Sequence, residues 1–352
     1  MSTPSGDARA AEECVAVACL ALPDEAQVER LTCSSPKHAP DLLARVQGSG
    51  AGRLLLLGHL DTVVAHDGHR PLRREEGGEK LRGSGTIDMK GGVVLALEVL
   101  RALAERPEGF AEVALLLVND EEWRTAPFAH AARFRGWEGC LCFEAGERSD
   151  GDEAVVVRRK AAGAVEVTAV GRAAHAGSAP DLGRNALLAL AAIAKRLTGL
   201  HDPAGPDRRT VVPSVMRAGE ALNVVPPRGD LLVDVRADRL EALAPVLDAV
   251  PPELDGVRLG ARQIRSWPGM DTEAVMAPAL EGASARAGRP IVAAERGGAS
   301  DASHFAPAIE RTVDGLGPRG GGAHQPDEFV RRNSVRPRME VALALAAELL
   351  SL

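Results

Sequence analysis

Three short apolar runs, each followed directly by acidic or imidazole side chains, constrain the fold of this chain more than any other feature. Leu54–Leu57 leads into GHLD, Ala111–Val118 leads into NDEE, and Gly139–Phe143 leads into Glu144. Between the first two runs, Asp88–Glu105 carries apolar residues at helical spacing. Buried strands that alternate with helices predict an α/β domain, in which a mainly parallel, mixed sheet is flanked by helices. The chemistry of such a domain is expected at the carboxyl ends of its strands.

The pattern changes near residue 160. From there to Trp267 the chain reads as strand, helix, two strands, helix and strand, which is the βαββαβ order of a ferredoxin-like α+β unit. After Trp267 the first pattern returns. The sequence therefore predicts a catalytic domain formed by residues 1–160 and 271–352, with residues 161–270 inserted as a second domain. A further short helix is predicted near Phe128–Phe134.

Composition restricts the class of function. The chain has 352 residues, of which 45% are apolar and 26% charged, and a formal net charge of −7. Only 3% are aromatic and none is tyrosine, which argues against nucleic-acid binding because such sites need basic stripes and stacking rings. No run approaches the roughly 18–20 apolar residues of a membrane span, and no signal segment is recognised. Five cysteines without zinc-binding spacing predict reduced thiols, so we expect a cytoplasmic enzyme that acts on a small molecule.

His59 and Asp61 form the first candidate pair. Side chains two apart on a strand project to the same side, and a metal-binding histidine usually donates its other ring N–H to a carboxylate such as Asp61. The pair alone leaves a hydrogen-bonded loop end as the alternative. Asp88 lies between a Gly-Ser-Gly turn and a Gly-Gly helix start, where the backbone can approach closely. Its carboxylate is therefore a candidate bridge between two cations.

More candidate ligands follow the other apolar runs. Asp120, Glu121 and Glu122 would repel one another unless a cation neutralises some of them, although a solvated acidic loop is the alternative. Glu144 ends a further strand, and His324 lies in a glycine-rich segment. Oxygen and imidazole ligands without a thiolate suit zinc, cobalt or manganese.

Over nearly its whole length the chain resembles a family of di-zinc hydrolases. The family includes acetylornithine deacetylase, succinyl-diaminopimelate desuccinylase, bacterial glutamate carboxypeptidase, dipeptidases and aminoacylases. The resemblance is carried by motifs in the family's order: GHLDTV, GSGTIDMKGG, NDEEW, FEAG, HAGSAPDLGRNAL, NVVPP, GGASDA and AHQPDEF. It implies a zinc exopeptidase-like fold and two Zn²⁺ ions per subunit, at ligands that also accept Co²⁺ or Mn²⁺.

The resemblance also implies roles for the candidate residues. It gives five metal ligands in two sites that share Asp88, with His59 and Glu144 in one and Glu122 and His324 in the other. Glu121 would be the general base that takes a proton from water and passes it to the leaving amine. Asp61 would orient the imidazole of His59.

Six further residues match family positions that meet the substrate: His175, Asn223, Arg236, Arg296, Gly298 and Ser300. In the family, the equivalent of His175 enters the active site of the other subunit and stabilises an oxyanion, which implies a homodimer formed through residues 161–270 as a lid and dimerisation domain. The turn in ERGGASDA would hold a substrate carboxylate through its backbone N–H groups. From the residues alone, His175 also reads as a surface-loop histidine, Asn223 as a turn residue and Arg236 as a helix-leading arginine. The other six histidines are interpreted as loop or surface residues without a role.

The predicted function is hydrolysis of an amide bond next to a free carboxylate, by a glutamate-carboxypeptidase-like peptidase or an N-acyl-amino-acid deacylase. One alternative is a biosynthetic deacylase of an N-acylated ornithine-type, lysine-type or carrier-linked amino acid. Another, of a different class, is a catalytically silent binding relative. The segment Trp123–His130, WRTAPFAH, departs from the family because it replaces a small Gly-Ser turn. We expect it to narrow the pocket or change its charge, and so to alter substrate preference.

Overall fold

The computed structural model describes all 352 residues and divides into two compact units. The first contains Met1–Arg158, Asp271–Arg296 and Ser300–Leu352, and the second contains Arg159–Met270 and Gly297–Ala299. Each unit has a hydrophobic core of its own. The chain combines sheets with packed helices, so the predicted mixed α/β class is confirmed. None of the helices has both the length and the hydropathy that crossing a bilayer requires.

The elements are numbered in chain order. The strands are β1 (Gln27–Leu31), β2 (Asp41–Gln47), β3 (Arg53–His59), β4 (Arg73–Arg74), β5 (Lys80–Arg82), β6 (Glu112–Val118), β7 (Gly139–Cys142), β8 (Glu147–Ser149), β9 (Asp152–Arg159), β10 (Ala161–Val170), β11 (Thr210–Ala218), β12 (Arg228–Ala237), β13 (Glu253–Leu254), β14 (Val257–Trp267), β15 (Met270–Asp271), β16 (Ile291–Arg296), β17 (Thr312–Val313), β18 (Gly320–Gly321) and β19 (Phe329–Arg331). The α-helices are α1 (Ala8–Leu20), α2 (Gly91–Ala104), α3 (Ala186–Thr198), α4 (Ala244–Asp248), α5 (Glu273–Ala287), α6 (Ala302–Phe305) and α7 (Arg332–Leu349).

A six-stranded mixed sheet forms the centre of the first unit. Its order is β1-β2-β6-β3-β7-β17, and β6, β3, β7 and β17 run parallel while β1 and β2 pair antiparallel. Leu54–Leu57 of β3 and Leu115–Leu117 of β6 are fully buried. A strand that is covered on both faces reads as an unbroken apolar run, which explains why these two strands are so conspicuous in the sequence. Helices α2, α5 and α7 contribute buried side chains to the same core.

Two smaller sheets complete the first unit. One contains β8, β9 and β16, with β15 on the other edge of β9, and the other has the order β18-β19-β5-β4. In the second of these, β18 and β19 are an antiparallel pair joined by residues 322–328. That connection carries His324.

Two local predictions differ from the structure. Helix α2 begins at Gly91, because Thr86–Lys90 form a separate turn in which the backbone of Asp88 and Met89 is not helical. The helix expected near Phe128–Phe134 is wrong for its first half, since only Ala131–Phe134 form a turn of 3₁₀ helix. Pro127 lacks an N–H donor and disfavours a helical residue before it, and the ring of Phe128 instead packs edge-on against Phe305 with their centroids 5.3 Å apart.

The second unit follows the element order βαββαβ, from β10 through α3, β11, β12 and α4 to β14. Its sheet has the order β11-β12-β10-β14-β13, with every pair antiparallel. Buried residues of α3 pack on the sheet, including Leu190 and Ile193. The opposite side of α3 exposes Leu187 and Leu188, and the edge strand β11 exposes further apolar side chains.

Candidate metal centre

The carboxyl ends of three parallel strands carry the predicted ligands. His59 is the last residue of β3, Glu122 lies four residues after the end of β6, and Glu144 lies two residues after the end of β7. Because parallel strands end at the same edge of a sheet, these side chains are brought together although they are far apart in the sequence. Asp88 joins them from the turn Thr86–Lys90, and His324 joins them from the β18–β19 connection.

Asp88 lies between the two histidines. Its Oδ1 atom is 3.1 Å from Nε2 of His59, and its Oδ2 atom is 3.0 Å from Nε2 of His324. His59 Nε2 is also 3.5 Å from Oε1 of Glu144, and His324 Nε2 is 3.3 Å from Oε2 of Glu122. The five donor groups therefore form two sets, each with one imidazole and one terminal glutamate, that share the carboxylate of Asp88.

These residues fit a metal centre. One ligand atom from each of His59, Asp88 and Glu122 lies within 4.8 Å of the other two. Oε1 of Glu122 is buried and has no hydrogen-bond partner, which is costly unless a further group satisfies it. Imidazole and carboxylate donors without a thiolate are those that zinc, cobalt and manganese accept.

The pKa values of these groups reflect their proximity. Burial alone lowers the pKa of His59, but its hydrogen bonds with neighbouring carboxylates outweigh burial and raise it well above the usual value. Hydrogen bonds with Asp88 and Glu122 raise the pKa of His324 to about 10. Burial and the charge of Asp88 raise the pKa of Glu144 to about 7. Positive charge is therefore strongly favoured among these carboxylates.

Glu121 lies beside the donors without joining their contacts. The residue is 8% exposed, and its carboxylate forms no hydrogen bond. Burial raises the pKa of this carboxyl well above its usual value, and the nearby charges of Asp301 and Glu144 raise it further while His59 opposes them. Both oxygens of Glu121 are thus available to a reactant.

Asp61 holds the backbone of two neighbouring acids. Its Oδ1 and Oδ2 atoms each accept a backbone N–H at 3.1 Å, from Glu121 and Glu122 respectively. Nδ1 of His59 is 3.0 Å from the backbone carbonyl of Asp61 and 3.3 Å from its Oδ1 atom. The carboxylate therefore fixes the position of Glu121 and Glu122 in addition to facing His59.

Glu328 is a site residue that the sequence reasoning missed. Its carboxylate accepts backbone N–H groups from Gly85 at 2.7 Å, Ile87 at 2.8 Å and Asp88 at 3.0 Å. These bonds fix the turn that carries Asp88. The only signal in the sequence is that Glu328 is the second acidic residue of the motif AHQPDEF, and its bonds to the turn depend on the fold.

Arg124 is the second residue that was missed in its actual role. Its guanidinium group donates to both Asp120, at 2.8 and 3.1 Å, and Asp301, at 2.9 Å, and it lies 4.5 Å from the ring centroid of Phe128. The pKa of Arg124 is raised, because these carboxylates outweigh the opposing effect of burial. The charge of Arg124 is therefore compensated by two carboxylates inside the first unit. The expectation that the segment Trp123–His130 narrows the pocket or changes its charge stays a prediction. Trp123 is 68% exposed.

Three of the predicted substrate residues, His175, Asn223 and Arg236, belong to the second unit. Nδ1 of His175 accepts backbone N–H groups from Gly177 and Ser178 at 3.1 and 3.2 Å, and the backbone N–H of Ala176 donates to the carbonyl of Asn223 at 2.9 Å. An imidazole whose Nδ1 accepts hydrogen bonds carries its proton on Nε2. Arg236, on β12, pairs with Asp234 at 3.0 Å.

The remaining predicted substrate residues come from the last residue of β16, Arg296, and from the turn that follows it. The carbonyl of Gly298 accepts a hydrogen bond from Arg159 at 2.8 Å. Arg296 donates to the carbonyl of Ala145 at 2.8 Å and pairs with Glu147.

Ser300 is fully buried, and its hydroxyl donates to Oδ2 of Asp314 at 2.6 Å. Ser300 therefore helps to hold this turn, and its expected contact with the substrate stays a prediction.

His130, one of the histidines interpreted as loop or surface residues without a role, lies in the loop that follows β6. The residue is buried, and its Nε2 atom is 2.8 Å from Oδ2 of Asp41. Asp41 in turn accepts the backbone N–H of Asn119 at 2.8 Å. His130 therefore supports the segment that leads from β6 to Glu121 and Glu122.

Comparison with known proteins identifies the family. The model of peptidase family M20/M25/M40 matches residues 55–348, which include every donor described above. The chain belongs to this family. It is accordingly a metal-dependent hydrolase, and the alternative of a silent binding relative is set aside.

Individual M20/M25/M40 relatives agree with this assignment. The chain is 27% identical to carboxypeptidase G2 of Pseudomonas sp. (strain RS-16) over 326 residues, which cover 88% of this chain and 77% of the relative. It is 28% identical to succinyl-diaminopimelate desuccinylase of Gluconobacter oxydans (strain 621H) over 327 residues, covering 87% and 83%. The crystal structure of an M20 family metallo-carboxypeptidase from Sulfolobus solfataricus superposes with a TM-score of 0.75 at 15% identity, covering 98% and 94%, and shows the shared fold.

Proposed function

We propose that this M20/M25/M40 enzyme is a two-metal exopeptidase or deacylase that cuts an amide bond next to a free carboxylate. The observation that carries the proposal is the arrangement of donors in two sets around Asp88, with the carboxylate of Glu121 unengaged beside them. A carboxylate that offers one oxygen to each set is suited to a site for two ions. Zinc is the proposed metal, and the same ligands accept cobalt or manganese.

Each ligand has a proposed place. His59 and Glu144 would hold one ion, Glu122 and His324 would hold the other, and Asp88 would bind both. When bound, two such ions lower the pKa of a water molecule and polarise the scissile carbonyl.

Glu121 is the proposed general base. Its carboxylate would accept a proton from the attacking water and deliver it to the leaving amine. Asp61 supports this role by holding the N–H groups of both Glu121 and Glu122, so the base and its neighbouring ligand keep a fixed spacing. The role of Asp61 is therefore one of positioning.

The second unit is the proposed lid and dimerisation domain. Leu187 and Leu188 on α3 and Val212 and Met216 on the edge strand β11 are exposed, which supports pairing of two subunits through this unit. The hydrogen bonds of His175 support a role in oxyanion stabilisation. Its Nδ1 accepts two backbone N–H groups, so its Nε2–H can donate to an oxyanion.

A substrate carboxylate would be held by Asn223, Arg236 and the backbone near Gly298. A guanidinium group and backbone N–H groups are suitable partners for such a carboxylate. Arg296 and Ser300 match family positions of the same kind, and each has a partner within the chain, since Arg296 pairs with Glu147 and Ser300 donates to Asp314.

A carboxypeptidase that releases a C-terminal residue such as glutamate is the first substrate proposal. It is supported by the similarity to carboxypeptidase G2 over most of both chains. Deacylation of an N-acylated ornithine-type, lysine-type or carrier-linked amino acid is the second proposal, supported by the similarity to the desuccinylases. A cytoplasmic location is proposed from the five unpaired cysteines.

Metal analysis combined with a substrate screen tests the proposed function. Purified protein is reconstituted with zinc and assayed on acyl-glutamate, acyl-ornithine, acyl-lysine, acyl-aromatic and dipeptide substrates. We expect close to two equivalents of zinc and hydrolysis of at least one carboxylate-bearing amide. One equivalent of zinc or fewer, or hydrolysis of none of these substrates, would contradict the proposal.

A further inference from the structure

A cavity of about 500 Å³ in the first unit is lined mainly by arginines. Its wall contains Arg148, Arg296, Arg319 and Arg331, together with Gly146, Glu147, Gly320 and Asn333. None of the five metal-type donors lines it. The chain as a whole carries a net charge of −7, so a concentration of arginines at one cavity is not a consequence of a basic composition.

The arginines of this cavity outnumber the carboxylates that pair with them. Glu147 pairs with Arg296, and Glu153 pairs with Arg148, Arg319 and the fully buried Arg338 behind the wall. Arg331 forms no ion pair and instead lies 5.7 Å from the ring centroid of Phe329. Five guanidinium groups against two carboxylates leave this cluster with a net charge of +3. Like charges this close repel one another unless an anion joins them.

The wall offers unused hydrogen-bond donors on side chains that are held in place. A guanidinium group has five N–H donors, and Arg296 spends two of them, on the carbonyl of Ala145 and on Glu147. Arg319 is anchored by Glu153, and its backbone N–H donates to the hydroxyl of Ser334 at 2.9 Å. Because these contacts fix Arg296 and Arg319 before any ligand arrives, less side-chain entropy is lost when an anion binds.

The electrostatic potential at this cavity also favours a negatively charged ligand. Burial lowers the pKa of Arg338, and the positive charges of Arg319 and Arg296 lower it further, although Glu153 opposes both. Asn333 lies in the first turn of the 18-residue helix α7 and Arg331 directly precedes that helix, whose dipole adds positive potential at this end.

We propose that this cavity binds a compact dianion, a phosphate group or a small dicarboxylate, between Arg296, Arg319 and Arg331, with Arg148 at its rim. Planar guanidinium groups bind both kinds of anion through paired hydrogen bonds. None of the residues that line the cavity is a proposed metal ligand. Binding of an anion here therefore does not depend on the proposed substrate class.

Calorimetric titration of the zinc-loaded protein at constant ionic strength tests the proposal. The probes are inorganic phosphate and succinate, with chloride as the monovalent control. The variant is R148Q/R331Q, which removes two cavity arginines that are exposed and leaves Arg319 and Arg296 with their partners. The matched control is R336Q. Arg336 is an exposed arginine near the start of α7, and it lies outside the cavity lining.

We expect saturable binding of phosphate, succinate or both to the wild type and to R336Q, and at least tenfold weaker binding to R148Q/R331Q. Phosphate that binds at the metal centre contributes equally to all three proteins, so their difference reports on the cavity. Binding of phosphate alone assigns a phosphate site, and binding of succinate alone assigns a dicarboxylate site. Equal affinity in R148Q/R331Q and the wild type, or no saturable binding of either dianion, would overturn the proposal.

Discussion

Asp61 connects two functions through one carboxylate, because it faces the ring of His59 while accepting the N–H groups of Glu121 and Glu122. In Asp61→Asn one oxygen is replaced by an NH₂ group, which must then face a backbone N–H. We expect a loss of stability of about 1–3 kcal/mol, since a buried donor loses its acceptor. We also expect kcat to fall at least tenfold while zinc still binds. Thermal unfolding, metal analysis and steady-state kinetics measure the three quantities.

The exposed Asp67 provides the matched control for this change. Asp67→Asn should leave unfolding, zinc content and kcat unchanged. Wild-type kcat in Asp61→Asn would show that the spacing of Glu121 and Glu122 does not depend on this carboxylate.

His304 gives a pH-dependent contribution to stability. Burial lowers its pKa to about 4, whereas an exposed histidine titrates near the ordinary 6.5. Between pH 6.5 and about pH 4, the imidazole of His304 is therefore protonated in the unfolded chain and neutral in the folded chain. As the pH falls through this range, the free energy of unfolding decreases by about 3 kcal/mol at most.

We expect His304→Gln to have a shallower dependence of its unfolding temperature on pH between 4 and 6.5 than the wild type. Thermal unfolding at a series of pH values measures this slope. His66→Gln, at an exposed histidine, is the control and should keep the wild-type slope. The same slope in His304→Gln and the wild type would contradict a buried neutral imidazole.

At the scale of elements, the loop after β6 is held by a buried charge cluster. Arg124→Met would leave Asp120 and Asp301 buried without a cation, which costs about 3–5 kcal/mol when one partner of a buried pair is removed. We expect a correspondingly lower unfolding temperature, with Arg124→Lys intermediate because it keeps the charge and loses the paired geometry. Arg135→Met, at an exposed arginine, is the control. An unfolding temperature within 1 °C of the wild type for Arg124→Met would refute the cluster's contribution.

The strands and their ligands could be predicted because each depends on local pattern. Leu54–Leu57 and Val113–Val118 are buried on both faces, so their apolar runs mark β3 and β6 directly, and the polar residues at their ends follow. The loop Trp123–His130 could not be predicted in the same way. Its conformation depends on contacts of Arg124 with Asp301, which is 177 residues away in the chain. For the same reason Glu328 was missed, since its bonds to the Asp88 turn are visible only in three dimensions.

At the scale of the whole molecule, the proposal of a homodimer rests on the exposed apolar residues of the second unit. Leu188 is 65% exposed on α3, and a charge at that position would have to be buried if α3 meets another subunit. We expect the wild type to be dimeric and Leu188→Arg to be monomeric by light scattering coupled to size exclusion. Leu20→Arg is the matched control, because Leu20 is 87% exposed on α1 of the first unit. A wild-type monomer, or a dimer that persists in Leu188→Arg, would contradict dimerisation through this surface.

The central claim is that Glu121 moves the proton at a centre of two metal ions held by its neighbours. The most direct test is Glu121→Gln, which keeps the size of the side chain and removes its basicity. Zinc content and kcat are measured together on the best substrate of the screen, with the exposed Glu105→Gln as control. We expect the Glu121→Gln enzyme to bind two zinc ions and to have a kcat lower by about 10²–10⁴-fold, which is the contribution of a general base. A Glu121→Gln enzyme that retains both its zinc and wild-type kcat would contradict the central claim.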